Sequence, residues 1–105
     1  MSSIRTESTV PPPSQSEAEA RLHQEGYQSF KWYDVPGAHY PKHRHPKDEC
    51  LWILSGKLVI EIDGTEYLLQ AGDRIYLPAK TLHTARVPNQ GAVTYVVGQK
   101  DCQKD

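Results

Sequence analysis

Three of the five histidines in the chain, His39, His43 and His45, fall within one seven-residue stretch. Imidazole is the commonest side-chain ligand of transition metals, so the clustering points to metal chemistry. On an extended chain, residues two apart share a face, which aims His43 and His45 the same way. Pro46-Lys47-Asp48 reads as a turn or irregular stretch, after which Glu49 can return a carboxylate toward the same place. A further ligand has to come from another strand. His83, just after Pro78-Ala79-Lys80, is the one good candidate. His39 shares alternation with His43 but lies about 13 Å away along an extended strand, which places it at the rim. His23 falls in a helical segment and faces solvent.

The elements that must carry these residues are mostly strands. Residues 1–15 read as a tail, disordered or arm-like, because Pro11-Pro12-Pro13 blocks both helix and ladder pairing. Residues 16–26 read as a short helix and its stop, with Ser16 and Glu19 as a capping box, Leu22 as the apolar contact and Gly26 closing it. Residues 27–99 read as one β domain, and 100–105 as a polar tail. Phe30, Trp32 and Val35 favour a strand closed by Pro36-Gly37. A short apolar run follows from Cys50 to Leu54. Leu58, Ile60 and Ile62 alternate with Val59, Glu61 and Asp63. Asp63-Gly64 is a type I′ hairpin signal, and the chain returns over 65–69. Further strands fit 75–77, 82–87 and 92–97. Seven or eight short strands with regular turns predict an antiparallel sandwich or barrel.

Alternation also predicts an interior. Leu51, Ile53, Leu58, Ile60, Ile62 and Val87 form its apolar lining, and Ala85 points inward while Arg86 points out. Cys50, next to Glu49, falls on the opposite face as a small buried hydrophobe. Trp52 is expected to pack between sheets or at a subunit interface. Tyr76 and Tyr95 either reach the interior or serve packing alone. Cys102 belongs to the polar tail as a free thiol.

Composition narrows the class. At 105 residues the chain has room for one small domain. Twelve Lys plus Arg against thirteen Asp plus Glu give a net charge of −1, with no basic excess for nucleic acid. The mean hydropathy of −0.66 is low, but much of the deficit lies in the first twenty residues. No apolar run approaches the ~18 residues of a membrane helix. No secretory signal is evident, and two cysteines are too few for a disulfide framework. A cytoplasmic location is the expectation.

The motif spacing closely resembles that of the cupin superfamily. The family's first motif runs glycine, five residues, His-x-His, three or four residues, glutamate, six residues, glycine. Gly37, His43, His45, Glu49 and Gly56 occupy every position. In the second motif Gly72, Pro78 and His83 match, while Lys80 stands where a second glycine is usual and Val87 where an asparagine often follows. The likeness spans about residues 27–98. It implies an all-β double-stranded β-helix, the cupin or jelly-roll barrel, with the short helix N-terminal to it, and a homodimer. It also implies one divalent transition metal (Fe, Mn, Ni, Zn or Cu) held by His43, His45, Glu49 and His83. Three neutral imidazoles and a carboxylate suit such an ion and leave one or two positions free. A structural zinc site would more often be closed and thiolate-rich.

That resemblance, with an apolar lining and few other charges, points to a metal-dependent enzyme acting on a small organic molecule. Dioxygenase-like or Lewis-acid chemistry, of oxidoreductase or isomerase type, is expected. No general acid or base beside the metal is evident, and the catalytic residues stay unassigned. Two alternatives remain: a non-enzymatic module that binds or senses a small ligand or metal, and a barrel that the metal merely stabilises.

Overall fold

The apolar–polar alternation becomes two facing antiparallel sheets in the computed structural model of the chain, which describes residues 4–102. In chain order the elements are β1 (Arg5–Ser8), α1 (Gln15–Gln24), β2 (Gln28–Asp34), β3 (His39–His43), β4 (Asp48–Ser55), β5 (Lys57–Ile62), β6 (Thr65–Gln70), β7 (Asp73–Leu77), β8 (His83–Arg86) and β9 (Val93–Lys100). One sheet has the order β1-β7-β4-β9-β2 and the other β3-β8-β5-β6. Consecutive strands repeatedly switch sheets, as in a double-stranded β-helix. The hairpin expected at Asp63-Gly64 joins β5 to β6, with both residues at positive φ (54° and 81°).

Between the sheets lies the main core. Leu51, Ile53, Leu58 and Ile60, expected inside, are buried there with Val87, and Ile62 packs against them from a half-buried position. Ala85 is inside and Arg86 outside, paired with Glu66 at 3.2 Å. β9 adds Val93, Tyr95 and Val97 to the same core, and it runs three residues beyond the expected end at Val97.

A second core covers the outer face of the five-stranded sheet. β4 is buried on both sides, so Cys50 and Trp52 point away from the barrel and pack with Ala18, Leu22, Tyr27 and Val96. This corrects the expectation for Trp52. Its ring lies neither between the sheets nor on a surface that a second subunit could meet, because α1 covers it and leaves it 4% exposed. Cys50 is the buried hydrophobe expected, and burial pushes its thiol up to about 11. Tyr76 also belongs to this outer side, where its hydroxyl donates to Glu7 (3.2 Å), and it does not reach the interior.

At the N-terminus, where residues 1–15 read as disordered or arm-like, Arg5–Ser8 forms a strand on β7 of its own chain, with Ser8 Oγ donating to Asp73 (2.6 Å) and Arg5 stacked on Tyr76. The otherwise open edge of β7 supplies the partner groups that the short segment lacks alone. Thr9 N–H then donates to the Gly72 carbonyl (2.9 Å), which also accepts from the Trp52 indole (3.2 Å). The helix is capped by Ser14 and Glu17, two residues before the expected pair. Both pairs have capping-box spacing, and the earlier one adds half a turn; Ala18 and Leu22, four residues apart, form the buried face in either case. Residues 1–3 and 103–105, the outer ends of the expected tails, lie outside the described residues.

Arg74 locks helix to sheet. Its side chain is 2% exposed, donates to Glu25 Oε1 (2.7 Å) and Cys50 Sγ (3.2 Å), and lies over the Trp52 and Tyr76 rings at 4.3 and 4.6 Å. Burial alone would raise the Glu25 carboxyl, but Arg74 and then Arg21 hold it below its usual 4.5. A carboxylate whose proton affinity drops on folding adds stability above the unfolded value, and that share is lost as pH falls through the folded one. Glu25→Gln is therefore expected to cost about 2 kcal/mol at pH 7. Urea unfolding at several pH values should show the two proteins converging in acid, and a constant gap would contradict this role.

Candidate metal centre and pocket

The pairing of β3 with β8 sets the histidines. His43 lies opposite His83 in register, so both side chains enter the barrel mouth together. His45 follows on the irregular stretch before β4. Its backbone is fastened by Lys80, whose N–H donates to the His45 carbonyl (2.7 Å). The three rings converge, with centroids 4.4 Å apart for His43–His83, 4.8 Å for His43–His45 and 5.6 Å for His45–His83. One ring nitrogen from each lies within 4.8 Å of the others.

Hydrogen bonds assign two tautomers. His43 Nδ1 lies 2.7 Å from the Pro41 carbonyl and His83 Nδ1 lies 2.9 Å from the Thr81 carbonyl. A carbonyl only accepts, so both Nδ1 atoms carry a proton, which makes Nε2 the nitrogen that bears the lone pair in the neutral form of each ring. Burial holds His83 below the ordinary imidazole range, with His43 and His45 pushing the same way, against the Thr81 carbonyl and Glu49. The ring is neutral at pH 7, as a metal ligand must be. Glu49 is buried at the edge of the cluster, with Oε2 3.8 Å from His45 Nδ1. That is too long for a hydrogen bond, and Glu49 stands beside, not within, the set of three residues whose ligand atoms all lie within 4.8 Å of one another. The same Oε2 accepts from Gln99 Nε2 (2.7 Å). Gln99 follows Tyr95 and Val97 by alternation, a signal that becomes readable once β9 is known to extend past Val97.

His39 takes no part. A bulge between Tyr40 and His43 breaks the expected alternation, leaving His39 exposed opposite Arg86 and turning Tyr40 inward opposite Ala85. Tyr40 is thus a pocket residue that simple alternation misses. It reaches Asp34, a buried carboxylate at the end of β2. Asp34 Oδ1 accepts from Tyr40 (2.6 Å) and the Trp32 indole (3.2 Å), and Oδ2 accepts from Tyr95 (2.8 Å). Tyr95 is therefore the one of the two open tyrosines that enters the pocket. Burial first, then Asp34, raises the Tyr95 phenol; for Tyr40 the hydrogen bond to Asp34 comes first. Both hydroxyls stay protonated at neutral pH.

Histidines and phenols border one cavity of about 200 Å³, with Leu51, Leu58 and Ile60 as its apolar wall. It is smaller than the ~300–1,000 Å³ of typical drug-sized sites, so it suits a small organic molecule. A wider hollow of about 530 Å³ lies between the 78–84 loop and the β5–β6 turn, but His83 is the only one of the three histidines that borders it.

The motif glycines have positive φ as expected, at 80° for Gly37, 85° for Gly56 and 96° for Gly72. Lys80 keeps the geometry of the glycine it replaces, at φ 68°. A non-glycine residue there carries roughly 1–2 kcal/mol of strain. Lys80→Gly should gain a few tenths to about 1 kcal/mol, and Lys80→Val should lose about 1–2 kcal/mol, by urea unfolding. The reverse order would refute the strain.

The chain belongs to the cupin family: the model of the cupin domain matches residues 30–98. No curated protein matches it. Among solved structures it is similar to the DMSP lyase DddQ from Ruegeria pomeroyi DSS-3 (25% identity, TM-score 0.63, 75% of this chain and 41% of that one). It is also similar to a DUF861 family protein from Thermotoga maritima (17%, TM-score 0.63, 93% and 100%). A third likeness is to the polyketide cyclase RemF from Streptomyces resistomycificus (16%, TM-score 0.63, 70% and 54%). The chain spans about two fifths of the lyase chains it matches.

Proposed function

We propose that the protein is a metal-dependent enzyme acting on a small organic molecule in the 200 Å³ cavity. The observation that carries this reading is the convergence of three imidazoles, two of them with Nδ1 held by a backbone carbonyl so that Nε2 is the nitrogen available to a metal. His43, His45 and His83 would hold one divalent transition metal, with Glu49 as the fourth ligand. The donor set suits Fe, Mn, Ni, Zn or Cu. The bound ion would supply Lewis acidity or, with iron, dioxygen chemistry. Gln99 orients the Glu49 carboxylate, and the Pro41 and Thr81 carbonyls hold two rings in the ligating tautomer. Leu51, Leu58 and Ile60 exclude water from the apolar part of a substrate. The likeness to DddQ makes lyase chemistry one reading to test. A module that binds a small ligand without turning it over is the alternative, favoured by the lack, among the described residues, of a free general base beside the histidines.

Protein purified without added metal should contain about one transition-metal ion per chain by elemental analysis. His45→Ala should empty the site, and Gln99→Leu should weaken metal affinity about 10–100-fold. Unchanged occupancy in His45→Ala would remove the assignment. Turnover of DMSP or of a panel of thiols, diketones and catechols by the loaded protein would establish the enzyme. A ligand-dependent melting shift without turnover would instead favour the binding module.

A homodimer is part of the same proposal. β2 is an edge strand and presents Phe30, Trp32 and Tyr33, with Val35 just beyond its end, each 41–59% exposed. Light scattering should give twice the 11.9 kDa chain mass, and Tyr33→Lys should shift it toward monomer. A monomeric wild type would reject the dimer. No described helix is long and apolar enough to cross a membrane.

A further inference from the structure

At the β2 side of the cavity, the hydrogen-bond donors of Trp32, Tyr40 and Tyr95 all point at one buried carboxylate, Asp34. A phenol has one O–H and two acceptor lone pairs. With both O–H groups spent on Asp34, what the phenol oxygens have left to offer is acceptor capacity, a share of which on Tyr40 is taken by the Trp32 indole (3.2 Å). Hydrogen bonding to a carboxylate polarises each phenol and strengthens its oxygen as an acceptor. Among the described residues no Lys or Arg nitrogen pairs with Asp34, and neither residue type lines the cavity. The carboxylate is 7% exposed, so its negative charge is poorly screened by water. Trp32 and Phe30 add aromatic rings to the same wall, set edge to face at 6.1 Å. Aromatic faces attract cations, and most strongly where water is excluded.

We propose that this wall is a subsite for a protonated amine or a comparable organic cation carried by the ligand. It rests on the reading of the cavity as a small-molecule site, but not on the metal. Lewis-basic groups of a ligand would meet the histidine end. Its cationic end would lie against Tyr40, Tyr95 and Trp32, with Asp34 supplying the charge behind them. An anionic tail would meet a carboxylate with no compensating base, so the wall discriminates by charge as well as by shape.

The probes are butylammonium, 1-butanol and butyrate, alike in length and differing in charge, titrated into metal-free protein with a chelator present. Trp32 and Trp52 are the only tryptophans, so the indole N–H region of a proton–nitrogen NMR spectrum holds two side-chain signals, with Trp52 as the internal control. Butylammonium should shift the Trp32 signal and bind at least ~10-fold more tightly than 1-butanol, with butyrate weakest. Asp34→Asn should reduce butylammonium to within about twofold of 1-butanol while leaving 1-butanol unchanged. Tyr40→Phe, which keeps the ring and Asp34, should weaken butylammonium several-fold and serves if Asp34→Asn does not fold. Equal binding of the amine and the alcohol, or stronger binding of butyrate, would overturn the subsite. So would a preference for the amine that survives both substitutions. Because no metal is present, failure here leaves the metal assignment standing, and an empty metal site leaves this result standing.

Discussion

The register between β3 and β8 is the constraint on which the site depends. It sets His43 opposite His83, two residues separated by half the domain in sequence, and the backbone ladder holds them there more firmly than any side-chain contact could. His45 lies just beyond the ladder and needs a separate anchor, which the Lys80 N–H supplies. Lys80 adopts a conformation that most side chains avoid, so the local strain sits in the turn between β7 and β8 that is hydrogen-bonded to the His45 segment. The three imidazoles are thus brought together by main-chain geometry, and Nδ1 hydrogen bonds finish the orientation of His43 and His83.

The five-stranded sheet works on both faces. Its inner face closes the cavity, while its outer face carries α1, Trp52 and the buried Arg74. β4 belongs to both, sending Glu49 and Leu51 inward and Cys50 and Trp52 outward along consecutive residues. The N-terminal segment completes this outer layer by pairing with β7 and seating Thr9 on Gly72. Ligand chemistry and helix docking therefore share a strand but not a face, which lets the outer layer stiffen β4 without intruding on the cavity.

Much of the fold was legible because alternation is a strong signal when one face is buried. The interior positions of β4, β5 and β8 and the Asp63-Gly64 turn follow from it directly. The convergence of His43, His45 and His83 was legible from spacing together with family likeness. Three features were not. The N-terminal strand has four exposed residues and no apolar pattern, so its pairing is decided by the open edge of β7. The burial of Trp52 under the helix looks, in sequence, like any apolar residue in a run buried on both sides. Asp34, Tyr40 and Gln99 act in the pocket through a bulge and a longer last strand, neither of which leaves a local mark in composition.

The bulge at Pro41 and Lys42 has a consequence for how this pocket can diversify. It inserts one extra residue into the β3 ladder, and by doing so it decides which neighbour faces the cavity. Strict alternation at the present spacing would turn the Tyr40 phenol out to solvent and the His39 imidazole in, whereas deleting one bulge residue would leave Tyr40 two positions from His43 and still inward opposite Ala85. The cavity wall is thus set by ladder geometry as well as by residue identity: the inward Tyr40 phenol survives loss of the extra residue but not loss of the bulge at constant length.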